Sequence, residues 1–320
     1  MKYLLLITIL FSFALSQAQQ KVEILTDDLD NFWVAYDKLP DCETKADSIK
    51  AFQEHYIDKG TEGLVAFIKV RDFTASEYYQ VVKKFPKFWA SVRPRTEEVK
   101  KMRPEIERIY QQYAETYPGH KAPKICFAIG TLRTGGTTSK EFMLIGTEIV
   151  ASDKYVDKSE LNNWLQSVMK EESEILGIVS HEYVHTQQRI NFGTIWAGLN
   201  HRLLLMSLME GSCDFLAKHI TGVSINQHII DYGEAHEAEL WEEFQKEMYT
   251  NKFDNWLYQG NKTPKGVPAD LGYYMGYKIA QAYYEQADNK EKALKDILRI
   301  KGYKRLLKKS GYADKAKNSG

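Results

Sequence analysis

From Val22 to Tyr117 apolar residues recur at intervals of three and four: Phe32, Val34, Ala35 and Leu39, then Leu64, Phe67 and Ile68, then Tyr78, Val81, Val82 and Phe85. That period marks one face of a helix, so the stretch predicts an antiparallel helical layer. Pro40, Pro86, Pro94, Pro104 and Pro118 punctuate it. Each is expected between helices or in a first turn, where its missing N–H is not needed. The abundant Tyr and Trp of this region point to packing rather than chemistry.

Between Ala122 and Ser152 the period changes. "ICFAIGTL" and "FMLIGTEIVA" are short runs rich in β-branched and aromatic residues, and "RTGGTTSKE" between them has turn chemistry. They predict a β-hairpin or two strands of a small sheet, the second able to offer an edge to an extended peptide. Helical texture returns after Ser159 and lasts to about Leu307, and the polar end, "KKSGYADKAKNSG", is expected to fray. The fold class is therefore α+β, mainly α.

The first segment, "MKYLLLITILFSFALSQAQQ", has one Lys, an apolar run from Tyr3 to about Leu15, and then Ser16-Gln17-Ala18, a small-x-small cleavage pattern. It reads as a signal peptide over 1–18, because the run is shorter than the roughly 20 residues a spanning helix needs. No Cys follows the run, which argues against lipid attachment there. The mature chain is expected to start near Gln19, in the periplasm or outside the cell, without stable membrane insertion after cleavage.

Composition adds limits. Lys plus Arg equals Asp plus Glu at 43 each, so no net field recruits nucleic acid or acidic lipid, and the basic run "RIKGYKRLLKK" reads as a polar helical face. The three cysteines, Cys42, Cys126 and Cys213, form no disulfide framework. A single Cys42 to Cys126 bridge is left open, and Cys213 reads as a buried small hydrophobe. Gly135-Gly136 lacks the Lys-Ser/Thr and following helix of a phosphate loop, which leaves no basis for nucleotide binding.

Candidate chemistry sits in "EILGIVSHEYVHTQQR", which contains His-Glu-x-x-His. On a helix His181 and His185 share a face and can hold one metal ion, with Glu182 beside them as a base for water. A catalytic zinc wants three protein ligands and an open position, so a third donor is required downstream. A His-Glu-x-x-His-x-x-Gly-x-x-His pattern fails, because Gln188 and Asn191 occupy its last two positions. His201 is a second candidate, without a supporting pattern. The third is Glu210, in the apolar run "LLLMSLMEGSCDFLAKHI", which carries Glu210 and Asp214 one turn apart. Two acids in a buried stripe need a compensating cation or hydrogen-bond donors; Glu210 would complete the ligands and Asp214 would orient a ligand histidine. Another acid-flanked histidine, His236 in "EAHEAELWEEFQKE", has Leu240 where a partner would stand, and reads as a solvated helix.

His181-Glu182-x-x-His185 with Glu210-x-x-x-Asp214 resembles the gluzincin clan of zinc metallopeptidases, and "GYYMGYKIAQAYY" resembles a bacterial family of predicted zinc-dependent proteases related to gliding-motility lipoproteins. The resemblance covers about residues 120–300. Twenty-four residues separate His185 from Glu210, more than in thermolysin-like members, which implies a longer connection through "NFGTIWAGLN". The period thus marks off a helical region over 19–120 and a polar tail over 309–320, and the resemblance implies a zincin-like domain over 121–308 between them. It also implies one Zn2+ per chain on His181, His185 and Glu210, and hydrolysis of a peptide or protein substrate with Glu182 as general base. Tyr273 and Tyr277 are candidate oxyanion donors, one turn apart, with Gly272 and Gly276 on the neighbouring stripe letting another backbone approach. The competing expectation is an envelope or assembly protein that keeps the zinc and does no catalysis.

Overall fold

The computed structural model describes residues 22–189, 202–260, 262–300 and 302–314. The leader, "NFGTIWAGLN" with Asn191, and His201 lie outside the described residues.

Helices dominate, as the period of three and four requires. They surround a mixed sheet of four strands among the described residues: β1 (Ile24–Leu25), β2 (Lys124–Ala128), β3 (Gly136–Thr138) and β4 (Phe142–Gly146), in the order β1-β2-β4-β3. β1 and β4 run parallel to β2, whereas β3 pairs antiparallel with β4. The two predicted runs are therefore two parallel strands of a small sheet rather than a hairpin; the antiparallel partner of β4 is β3, inside "RTGGTTSKE", which its turn chemistry presented as a loop. The strand run ends at Gly146, and Thr147–Val150 is a short helix. β4 has neighbours on both sides, so it offers no edge to a peptide; that edge belongs to β3. A strand buried on both faces, as every residue of β4 is, shows no alternation to separate it from its surroundings.

The N-terminal helices pack Phe32, Phe52, Tyr56, Tyr78 and Trp89 into one aromatic cluster of edge-to-face and tilted pairs. The cluster also fixes backbone: Tyr78 donates to Ile129 O at 3.0 Å, and Ile129 N donates to the Tyr56 hydroxyl at 3.0 Å. It thus clamps the chain where β2 ends and the loop to β3 begins. Residue 120 marks a change of texture in the sequence, but the sheet crosses it, because β1 pairs with β2 and one hydrophobic cluster continues through both parts.

Three expectations change. Pro94 sits inside the helix Pro86–Glu98 rather than at its start. Cys42 and Cys126 are unpaired: Cys126 is buried in β2 with its thiol toward Asp28, which itself caps the turn at Thr61. The tail stays ordered past residue 309, since Ser310 and Tyr312 are buried and the Tyr312 hydroxyl donates to Glu237 at 2.8 Å. Among the described residues no helix is long and apolar enough to cross a membrane.

Helix Arg202–Thr221 lies against helix Gly272–Gln286 at very short range. A Cβ on Gly276 would fall 1.7 Å from Ser207 O, and one on Gly211 2.2 Å from Tyr273 O. Only glycine allows that approach, and it brings Tyr273 beside Glu210 and His181.

Candidate metal centre

Helix Ile175–Gln187 is apolar on nearly every side, so it is buried, and only one face opens to space. That face carries Ile178, His181, Glu182 and His185, and lines a cleft of about 1020 Å³. The four-residue spacing puts the rings of His181 and His185 4.8 Å apart, with their Nε2 atoms 3.0 Å from each other. From the next helix Glu210 brings Oε2 to 3.2 Å from His185 Nε2 and 3.5 Å from His181 Nε2. The residues named from sequence therefore meet.

The proton positions follow from the partners. His181 Nδ1 faces Asp214 Oδ1 at 2.7 Å, and Asp214 is a buried carboxylate held by Asn226 Nδ2 at 2.9 and 3.1 Å. His185 Nδ1 faces Gln188 Oε1 at 3.0 Å, while the same amide donates through Nε2 to Met209 O at 2.8 Å. A carboxylate and an oriented amide oxygen can only accept, so each neutral ring carries its proton on Nδ1. Both Nε2 lone pairs then point at each other and at a carboxylate oxygen. Three acceptors so close, with no donor between them, form a hole for a cation, and two imidazoles with one carboxylate suit zinc. In the protein without an ion the charges respond: burial acts to lower both histidine pKa values but is outweighed, for His181 by Asp214 and Glu210 and for His185 by Cys213 and Glu210. Burial raises that of Glu210, and His185 and His181 more than reverse it, holding the carboxyl below its usual range.

Glu182 is 7% exposed, and burial lifts its pKa above the ordinary carboxyl value against the pull of the histidines and Arg71. Its neighbour is the edge strand: a Cβ on Gly136 would lie 2.8 Å from Glu182 Oε1. Cys213 places its thiol within 4.8 Å of both histidines, yet it is fully buried, donates to Met209 O and does not line the cleft. Glu210 does line it, which favours the carboxylate as third donor.

The tyrosines separate. Tyr273 lines the cleft with its ring stacked toward His181, centroids 6.4 Å apart. Tyr277 turns away into the core against Phe215, so of the two candidate oxyanion donors only Tyr273 lines the cleft. Their rings meet different neighbours, His181 for Tyr273 and Phe215 for Tyr277. His236 stays on its helix end, bonded to Tyr232 O, as the acid-rich pattern predicts.

Sequence reasoning missed Gln188, Asn226, Tyr258 and Arg71. Gln188 had a signal, since it follows His185 by three residues on the same helix face. Asn226 and Tyr258 had none: they reach the site from irregular segments, Tyr258 with φ +59° and lining the cleft.

Comparison with curated proteins and with solved structures gave no match. One family description matches residues 14–314, that of the gliding motility protein GldB. Because the match spans most of the chain, this protein belongs to the GldB gliding-motility family.

Proposed function

We propose that this chain is an exported, envelope-associated zinc hydrolase that cuts peptide bonds, built on a zincin-like fold. The observation that carries the reading is the convergence of His181 Nε2, His185 Nε2 and Glu210 Oε2 within 3.5 Å with both Nδ1 protons turned outward. The fold reading is supported by the site helix packing beneath β4 and β3, with the antiparallel edge strand beside the base. Membership of an envelope lipoprotein family supports the exported location.

His181, His185 and Glu210 would hold zinc, which when bound polarises a carbonyl and acidifies water. Asp214 and Gln188 keep the two rings in the tautomer that presents Nε2 to the ion. Glu182, one residue from His181 and buried beside the cleft, takes the proton from the attacking water and can return it to the leaving amine. Tyr273, which lines the cleft beside His181, would donate to an oxyanion. The free edge of β3 can align an extended backbone next to Glu182.

Metal analysis of protein purified without chelator should give about one zinc per chain. Glu210→Ala should release it, and Glu182→Gln should keep it while abolishing peptide hydrolysis. Full metal retention in Glu210→Ala, or unchanged turnover in Glu182→Gln, would sink the assignment.

The family match favours a second reading, in which the same zinc site stabilises an assembly component of the envelope and hydrolyses nothing. It expects Glu182→Gln to support gliding as well as the wild type does, whereas the hydrolytic reading expects motility to be lost.

A further inference from the structure

Arg71 ends the helix Glu62–Arg71, and Asp72, with φ +54°, turns the chain away immediately after it. Its side chain lines the cleft together with Glu182 and Gly136. One terminal nitrogen, Nη2, donates to Thr134 Oγ1 at 3.2 Å, and that hydroxyl donates onward to Gly136 O at 2.6 Å. The Nε is buried and has no hydrogen-bond partner, and among the described residues Arg71 makes no ion pair. The nearby Arg133 differs, because it is paired with Glu77 at 3.0 Å.

Burial lowers the pKa of the Arg71 guanidinium, Glu182 opposes that through space, and Arg133 adds to it. A partly desolvated cation with an unsatisfied Nε is a costly thing to keep in a wall. The terminal nitrogens of a guanidinium form a planar fork that takes a carboxylate with two parallel bonds, and Arg71 lines the cleft. Thr134 fixes the guanidinium to the segment that feeds the edge strand. A peptide aligned on β3 would therefore bring its groups nearest the scissile bond past Arg71.

We propose that Arg71 is the carboxylate-recognising residue of this cleft, so that the favoured substrates carry a carboxylate close to the bond that is cut. This rests on the hydrolytic reading and narrows its substrate class. The carboxylate can be a chain terminus or an Asp or Glu side chain, and the substrates used in the test separate the two.

The test compares zinc-loaded wild type, Arg71→Gln and Arg71→Lys on fluorogenic peptides in matched pairs: free C-terminal acid against amide, and internal Glu against Gln. In parallel, anisotropy measures binding of the same peptides to Glu182→Gln protein. The wild type should favour the carboxylate member of one pair by about 10- to 100-fold in KM and in affinity. Arg71→Gln should erase that preference in KM and in affinity, and Arg71→Lys should restore part of it. A preference in the first pair assigns the terminus, and one in the second assigns the side chain. Equal binding of both members of both pairs would overturn the inference while leaving hydrolysis standing. So would a uniform drop of kcat in Arg71→Gln with KM unmoved, since that marks a residue acting only through Glu182. Absence of any peptide cleavage by the wild type would remove the hydrolytic reading and this inference with it.

Discussion

Gly136 stands directly against Glu182: a Cβ added to it would lie 2.8 Å from Glu182 Oε1 and 2.9 Å from Ile178 Cγ1. The edge strand and the Glu182 carboxylate are thus fitted to each other, and the space above the carboxylate exists only because residue 136 has no side chain.

Gly136→Ala should therefore displace Glu182 without touching the three metal donors. The expected result is unchanged zinc content with turnover reduced by about 10- to 100-fold, the loss typical of a catalytic group misplaced by about an ångström. Steady-state kinetics beside metal analysis checks it, and wild-type turnover in the variant would show that Glu182 does not need its present position.

Asp214 is the strongest support of the proposed ligand set, since it holds His181 Nδ1 at 2.7 Å and is itself gripped by Asn226. Asp214→Asn keeps the shape but presents an amide that can face the ring with either end. Zinc affinity should fall by about 10- to 100-fold in a chelator competition. An unchanged affinity would mean that the ring is oriented by packing alone.

Tyr273 and Tyr277 provide an internal control. Tyr273→Phe should lower kcat by about 100-fold if its hydroxyl meets the developing oxyanion, with KM little altered. Tyr277→Phe, facing Phe215, should stay within about two-fold of wild type. The reverse order would return the role to Tyr277 and require the helix to rotate.

The site was legible in the sequence where it is periodic. His181, Glu182 and His185 follow from the four-residue repeat on an apolar helix, and Glu210 with Asp214 follow from two acids in a buried stripe that need compensation. The helical layer was legible for the same reason. What escaped has no period. β3 is three residues long and looks like a turn because Gly136 must make room for Glu182. Tyr258, Asn226 and Arg71 reach the cleft from a loop, a loop and a helix end, where tertiary contacts alone decide direction. Gln188 was read only as a failed glycine position, although its amide could have been recognised as the partner of the ring three residues earlier.

Glu148 gives the fold a pH dependence of its own. Its carboxylate is fully buried and accepts from Gly130 N at 3.0 Å and Leu132 N at 2.8 Å, holding the loop that leads into β3, where Thr131 and Leu132 have positive φ. Burial raises its pKa to about 7 even though the backbone N–H groups favour the charged form. The folded state thus binds this proton more tightly than the unfolded chain, whose value is about 4.5. The stability it contributes is complete below pH 4.5 and is lost as pH rises to about 7, an effect on the order of 3 kcal/mol for a shift of this size. Glu174, raised to about 7 by burial but partly solvated, acts in the same window with smaller weight. Urea unfolding of metal-free protein should show the midpoint falling between pH 5 and pH 7.5. Glu148→Gln, which cannot ionise, should flatten most of that slope, even though it is less stable throughout because an amide accepts fewer of the loop's N–H groups. A slope as steep in the variant as in the wild type would assign the dependence to other groups.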